Sequence, residues 1–428
     1  MNTWNSVAFG DLYMMPSRNG LTRPSNVRGS GYKMVNMGEL FEYPMLRNPD
    51  MERVNLREDE KKTYSLCPGD LLFARQSLVL EGAGKCSIVI DCEENTVFES
   101  HLIRVRLDPG KSDPLFYYYY LRSELGMGTV QTIVRQVAAA GIRGSDLERL
   151  KVLCPPLPIQ RRIAAILSAY DDSIENNTRR IALLEKMAEE VYREWFVRLR
   201  FPGHERVPVH QGIPKGWEVI PVDDAFEMTG GGTPSKEENR FWNGGIINWY
   251  TPSDITAAEG IFLTRSGMQC TEEGLAKSSA RLFPAYSLMM TSRATIGALG
   301  INTTPACTNQ GFITCIPNEG FPFTYLYYWL KLSKEYFEML STGSTFLELI
   351  KSNFRKIKIL KPSRDVVGAY HNTNMPVFKL IETLLQDNQN LKTTRDILLP
   401  RLLSGKLDVE NLDIQFPPGM SDLVSAGN

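Results

Sequence analysis

From Ile163 onward, apolar residues fall alternately four and three positions apart: Ile163, Leu167, Tyr170, Ile174, Asn177, Ile181, Leu184, Ala188, Val191 and Trp195. All but Asn177 are apolar or aromatic, which is the narrow stripe of a coiled-coil seam rather than a broad amphipathic face. A buried Asn in such a seam costs stability and fixes register, and Asn177 is read that way. Between Pro158 and Pro202 there is no Pro or Gly, so a helix over 160–198 is predicted, on the order of 60 Å long at roughly 1.5 Å per residue. The rhythm returns at a shift of 207 on Tyr370, Asn374, Val377, Ile381, Leu384, Asn388, Leu391, Arg395, Leu398 and Leu402, weaker near Arg395. Pro376 is tolerable in a first helical turn, so this second helix is expected to begin near it; Pro400 would distort its end and Gly405 stop it. One chain must return its second repeat to meet the first, so the two seams are expected to pair antiparallel, as a rod with a globular module at each end.

Outside these stripes the pattern shortens. Runs such as Ser87–Ile90 and Leu102–Val105 read as strands, mixed with a few helices. The mixture is written twice. Trp4-x-x-Val7-x-x-x-Asp11-x-Tyr13 is echoed by Trp217-x-x-Ile220-x-x-x-Asp224-x-Phe226. A Thr-containing turn follows in each copy, Arg18–Thr22 and Gly230–Pro234, and then the segments Lys33–Leu40 and Asn248–Ile255. Pro68–Arg75 pairs with Pro284–Arg293, and the aromatic run Phe116–Leu121 with Tyr325–Leu330. Lys151–Pro155 and Lys358–Pro362 close the two copies. The offset drifts as loop insertions in a duplicated domain would make it drift. The fold class is therefore α+β: two tandem-repeated α+β modules, residues 1–155 and 206–362, separated by helical regions 156–205 and 363–410 that form an antiparallel coiled coil. An acidic tail, 411–428, closes the chain.

Composition narrows the function classes. The chain has 428 residues, 43% hydrophobic and 23% charged, enough for two or three domains. No apolar run reaches the roughly 20 residues of a bilayer span, and the first residues lack the pattern of a signal peptide. Seven cysteines without a Cys-x-x-Cys pair read as reduced thiols of a cytoplasmic protein. Four histidines, none at zinc-ligand spacing, suggest no metal site. A net charge of −1 argues against nonspecific, wholly electrostatic nucleic-acid binding, but leaves room for cations clustered on one face.

The sequence carries no recognisable signature of enzyme chemistry. There is no Asn/Asp-Pro-Pro-Tyr/Phe loop of an amino-methyltransferase, since Pro155-Pro156 follows Cys154 and Pro417-Pro418 follows Phe416. Gly82-Ala83-Gly84-Lys85-Cys86 lacks the first glycine and the Ser/Thr of a phosphate-binding loop and reads as a hairpin turn. Gly230-Gly231-Gly232 reads as a flexible turn rather than a dinucleotide loop. No catalytic residue is assigned, and the chain alone is expected not to be an enzyme.

Several segments resemble one family. Pro155-Pro156-Leu157-Pro158-Ile159-Gln160-Arg161-Arg162-Ile163-Ala164 is similar to the Pro-Leu-x-x-Gln-x-x-Ile-Ala start of the central conserved region of the specificity subunits of type I restriction–modification systems. Asp172-x-Ile174-x-x-Asn177 and Glu194-Trp195-Phe196-Val197 resemble its continuation, and Ile213-Pro214-Lys215-Gly216-Trp217 the entry to a second target-recognition domain. Arg395–Gly405 is similar to the distal conserved region; Tyr370–Asn374 is a less typical approach to it. The resemblance implies that each module reads one half of a bipartite, asymmetric target in double-stranded DNA. It implies that the helices set the gap and dock two methyltransferase subunits, which carry S-adenosylmethionine, with restriction/translocase subunits joining for cleavage. No cofactor is expected in this chain itself.

Base reading needs Arg and Lys for guanine and Asn and Gln for adenine, on loops held by a rigid module. In the first module the candidates are Arg18, Arg23, Arg75, Gln76, Arg135, Gln136 and Arg143; in the second they are Lys236, Arg293, Asn309, Gln310, Lys351 and Arg355. Arg75 and Arg293 occupy matching places in the repeat, which suggests a shared backbone-positioning role. Asn309-Gln310-Gly311 reads equally as a structural turn, and the aromatic runs read as core rather than as base-stacking platforms. A rival class remains on this evidence: a protein-interaction scaffold whose modules are spaced by a coiled coil and read no DNA.

Overall fold

The computed structural model describes residues 4–24, 28–92, 95–136, 140–343 and 347–416. The acidic tail from 417 onward, Asp422 included, and the side chain of Gln136 lie outside the described residues. The 4-3 stripes fold as two long helices, α1 (Leu157–Tyr192) and α2 (Arg364–Leu403). The chain divides into two compact units. One holds the residues up to Ile174 and those from Asn390 onward; the other is Glu175–Gln389. Each unit thus contains one module, half of α1 and part of α2, the larger part lying in the second unit.

The two modules share one topology. In the first, strands β1 (Tyr13–Asn19), β2 (Met45–Arg47), β3 (Leu71–Ala74), β4 (Cys86–Asp91) and β5 (Leu102–Leu107) form a sheet in the order β1-β5-β3-β4-β2. In the second, β6 (Glu227–Gly230), β7 (Phe262–Leu263), β8 (Leu288–Thr291), β9 (Leu299–Asn302) and β10 (Phe312–Ile316) repeat that order as β6-β10-β8-β9-β7. Even the parallel edge pairing of this five-stranded sheet recurs, β2 with β4 and β7 with β9. A two-stranded clasp closes each module: Asn5–Ala8 runs antiparallel to Lys151–Cys154, and Glu218–Pro221 to Lys358–Lys361.

Behind each sheet lies an aromatic helix, Pro114–Arg122 or Phe323–Leu332. Asp113 caps the first by accepting the Phe116 N–H at 3.0 Å, with Pro114 preset for the first turn. Its run Phe116–Leu121 and the twin Tyr325–Leu330 are buried throughout, so these rings are core. Buried phenols need partners, and they find equivalent ones. Tyr117 donates to the Leu153 carbonyl at 3.0 Å, and Tyr325 to the Leu360 carbonyl at 2.7 Å, bonding each aromatic helix to its own clasp.

Every position of both 4-3 series is buried or half-buried, and within each unit α1 and α2 run antiparallel. In the second unit Asn177 Nδ2 donates to Asn388 Oδ1 at 3.0 Å, so Asn177 is one of a pair rather than a lone polar residue. In the first unit Arg395 bonds Asp171, which also accepts the Tyr119 hydroxyl at 2.5 Å. That triad accounts for the weak point of the second stripe.

The expected start of the second helix near Pro376 is corrected: α2 begins at Arg364 and carries Pro376 inside it. The hydrogen bond that proline cannot make belongs to the Asn372 carbonyl, and both residues are exposed, so water can serve the orphaned oxygen. Pro400 is likewise exposed and internal, and Gly405, at φ +66°, follows the helix in the left-handed conformation common at C-termini. Helix α1 ends in a wider turn, Arg193–Val197, where Arg198 N–H reaches back five residues to the Arg193 carbonyl at 2.8 Å.

Candidate nucleic-acid interface

In the first module the end of β3 organises the candidates. Arg75 follows it directly, and its backbone bonds His101 and Ile142. Gln76–Ser77 then forms a small sheet with Ala140–Gly141, which in turn pairs with Arg135–Gln136. Arg143, exposed, precedes the short helix Gly144–Arg149. A Cβ on Gly144 would stand 2.8 Å from Ser17 Oγ, so the end of β1, with Arg18 exposed on it, adjoins the same face. The fold therefore brings Arg18, Arg75, Gln76, Arg135 and Arg143 to one region.

Their freedom differs. Arg135 is tied to Asp146 at 2.8 Å, and the Arg75 guanidinium lies at 3.4 Å from the Ser100 carbonyl. The Arg18 guanidinium sits 5.9 Å from the Tyr64 ring centre. Arg23 belongs elsewhere: it bonds Glu60 at 2.6 Å, and that hydrogen bond, with the Arg57 backbone, holds the Glu60 carboxyl below its usual range. At the other end of β3 lies an ion pair with a buried carboxylate that sequence reading missed. Arg106 grips Asp70 through two 2.7 Å bonds, and Asp70 also accepts the Cys67 N–H at 2.8 Å. The Pro68-Gly69-Asp70 turn before β3 was the available signal.

In the second module the candidates surround Gly230–Thr233. These glycines are packed, not flexible as the sequence suggested. A Cβ on Gly231 would lie 1.8 Å from the Asn309 carbonyl oxygen, and one on Gly232 2.3 Å from Ser279 Oγ. Trp249 donates its indole N–H to the Gly232 carbonyl at 2.8 Å, and Lys236 lies 5.9 Å from the Trp249 ring centre. Thr233 donates to Gln310 Oε1 at 2.8 Å, which leaves the exposed Gln310 amide nitrogen without a partner among the described residues. Asn309 accepts the Gly311 N–H at 2.8 Å and serves the turn itself.

Beside this loop stand three cations. Lys351 opens the short helix Lys351–Lys356, and its ammonium occupies the space a Cβ on Gly230 would need. Arg355 lies 3.4 Å from Asp223, and Arg293, directly after β8, lies 2.7 Å from Glu348. Lys351 has no carboxylate partner among the described residues. Desolvation, and then the neighbouring Arg355 and Arg293, push its pKa below the usual lysine value. A cation held between two others is stabilised by whatever anion arrives.

Gln160 is a further residue the sequence did not single out by role. It is fully buried; its Oε1 accepts the Asp113 N–H at 2.9 Å and its Nε2 donates to the Pro155 carbonyl at 2.8 Å. It fastens the first turn of α1 to the start of the aromatic helix. Among the described residues no group of His, Cys, Asp and Glu could hold a metal ion, and no helix is long and apolar enough to cross a membrane.

The geometry is that of two similar platforms carrying different loop cations, and comparison with known proteins agrees with it. The type I restriction–modification DNA specificity domain matches this chain twice, over residues 1–186 and 214–365. The type I restriction enzyme MjaIX specificity subunit of Methanocaldococcus jannaschii is 41% identical over 153 residues, 35% of each chain. The HindI specificity subunit of Haemophilus influenzae is 23% identical over 95% of this chain and the whole of its own. Among solved structures, the type I restriction–modification S subunit from M. genitalium shares the fold, with a TM-score of 0.61 at 17% identity, covering 94% of this chain and 96% of that one. With two copies of the domain spanning most of its length, the chain belongs to the family of type I restriction–modification DNA specificity subunits.

Proposed function

We propose that this chain reads a bipartite, asymmetric sequence in double-stranded DNA, one half through each module, and acts without catalysing a reaction itself. In this reading α1 and α2 set the gap between the half-sites and present the docking surface for two methyltransferase subunits. Those subunits supply S-adenosylmethionine and the methyl-transfer chemistry, and restriction/translocase subunits join them for cleavage. The observation that carries the reading is the repeat itself: one strand order twice, with Arg75, Gln76 and Arg143 at the loop ends of the first copy and Arg293, Gln310 and Lys351 in the second. Equal frames with unequal side chains are what two unequal half-sites require. The test is single-molecule sequencing of modified bases in cells expressing the chain with its methyltransferase partner. A new methyl-adenine mark at one split motif, absent without the chain, is expected. Unchanged methylation from a normally assembled complex would instead favour the protein scaffold.

A further inference from the structure

One of the loops in which module one differs from module two adjoins the candidate interface, directly after Gln76. The Gly84 N–H closes on the Ala74 carbonyl ten residues back, and the Gly297 N–H on the Thr291 carbonyl six residues back, so the first loop is four residues longer. The extra chain carries Leu78, 98% exposed, with Val79 at 60% and Leu80 at 41%. Three consecutive aliphatic side chains in water are unfavourable unless something covers them.

The loop is built, not loose. Ser77 Oγ accepts the Val79 N–H at 3.2 Å, Gly82 N–H bonds the Val79 carbonyl at 3.2 Å, and Ala83 N–H the Leu80 carbonyl at 3.3 Å. Its neck is closed by Gly84 N–H on the Ala74 carbonyl at 2.8 Å. A Cβ on Gly82 would stand 2.2 Å from Ser77 Oγ, so the two limbs touch. Leu78 is therefore held outward at a fixed place, two residues beyond Gln76.

The surroundings select the occupant. Arg75 and Lys85 flank the neck, Arg143 lies two residues beyond the Gly141 that pairs with Gln76, and Glu81 is the one carboxylate of the loop. An apolar tip on a cationic base suits a polyanion with an apolar feature in its groove. In duplex DNA that feature is the 5-methyl group of thymine, which projects into the major groove beside the adenine edges that Gln reads.

We propose that Leu78 is a specificity determinant of the first module, packing on a thymine methyl group while Gln76 pairs with an adjacent adenine. The proposal rests on the DNA reading above and adds the base and the contact. It requires at least one thymine in the half-site read by module one.

The experiment uses the complete complex of this chain with its methyltransferase partner, and duplexes carrying the motif mapped by sequencing. Each thymine of the first half-site is replaced in turn by deoxyuridine, which removes the methyl group alone. Wild-type affinity is expected to fall about fivefold at one position, the scale of one lost apolar contact. Leu78→Ala is expected to lose about fivefold on the thymine duplex and nothing further on the deoxyuridine duplex, with Leu78→Met restoring most of the loss. The proposal is overturned if the half-site lacks thymine, if Leu78→Ala binds as wild type, or if the two losses multiply. A Leu78→Ala defect in cells with unchanged affinity for both duplexes would overturn it in favour of a protein contact. If the chain directs methylation to no motif at all, the DNA reading falls first, and the two failures are told apart.

Discussion

At the scale of single residues, the charges that matter are those left without a counter-charge. Arg23, Arg135, Arg293 and Arg355 each stand against a carboxylate, whereas Lys351 does not. Lys351→Ala is expected to weaken DNA binding across sequences and to lower the slope of log affinity against log salt by about 0.9, as for one phosphate contact. Its pH dependence follows from the direction of its shift. Bound phosphate favours the ammonium, so affinity is full below the depressed pKa and falls as pH rises through it, earlier than for an ordinary lysine. Lys351→Arg should remove that decline in a titration of affinity from neutral to alkaline pH. The sequence identified these residues as cationic and loop-borne, but it could not say which were neutralised. Arg23 and Glu60, or Arg355 and Asp223, are joined by the folded chain and by nothing local.

At the scale of elements, the seam was legible because a 4-3 repeat is imposed on every turn of the helix. Its polar exceptions were visible and their partners were not. Asn177 bonds Asn388 at 3.0 Å between apolar seam positions, and Asn388 also donates to Thr178 Oγ1 at 3.4 Å. Asn388→Leu alone is expected to cost about 1–3 kcal/mol, because it strands a buried amide, while the Asn177→Leu/Asn388→Leu pair should be near neutral or stabilising. Urea unfolding of the two variants checks this sign reversal. Pro376 misled the reading of the second helix because local rules price a proline by its missing N–H. They cannot see that the affected turn faces water. Gln160→Leu is expected to cost about 1–3 kcal/mol by orphaning the Asp113 N–H and the Pro155 carbonyl, and to lower the melting temperature of the first unit.

At the scale of the whole molecule, the duplication was readable from short ordered matches, and the twin sheet order explains why. Clasp, aromatic helix and sheet all recur because each serves the others, so the sequence retains their spacing while the loops drift. The loops that carry the candidate cations drifted as well, which is why composition and spacing do not say what they would bind. Exchanging residues 1–155 for the first module of another family member should change one half of the methylated motif and leave the other intact. A seven-residue insertion in both long helices should widen the gap by about three base pairs, taking about 1.5 Å per helical residue and about 3.4 Å per base pair. Sequencing of modified bases reads both outcomes.

The amide pair in the seam also bears on how such a gene could arise and what it forbids afterwards. A shift of 207 carries Asn388 onto Ile181 and Asn177 onto Leu384. A half-length ancestor pairing with its own copy would therefore set each Asn177 against an isoleucine, with its amide unsatisfied. The two halves have become partners of each other and poor partners of themselves. A product carrying one half alone is thereby discouraged from pairing with its own copy.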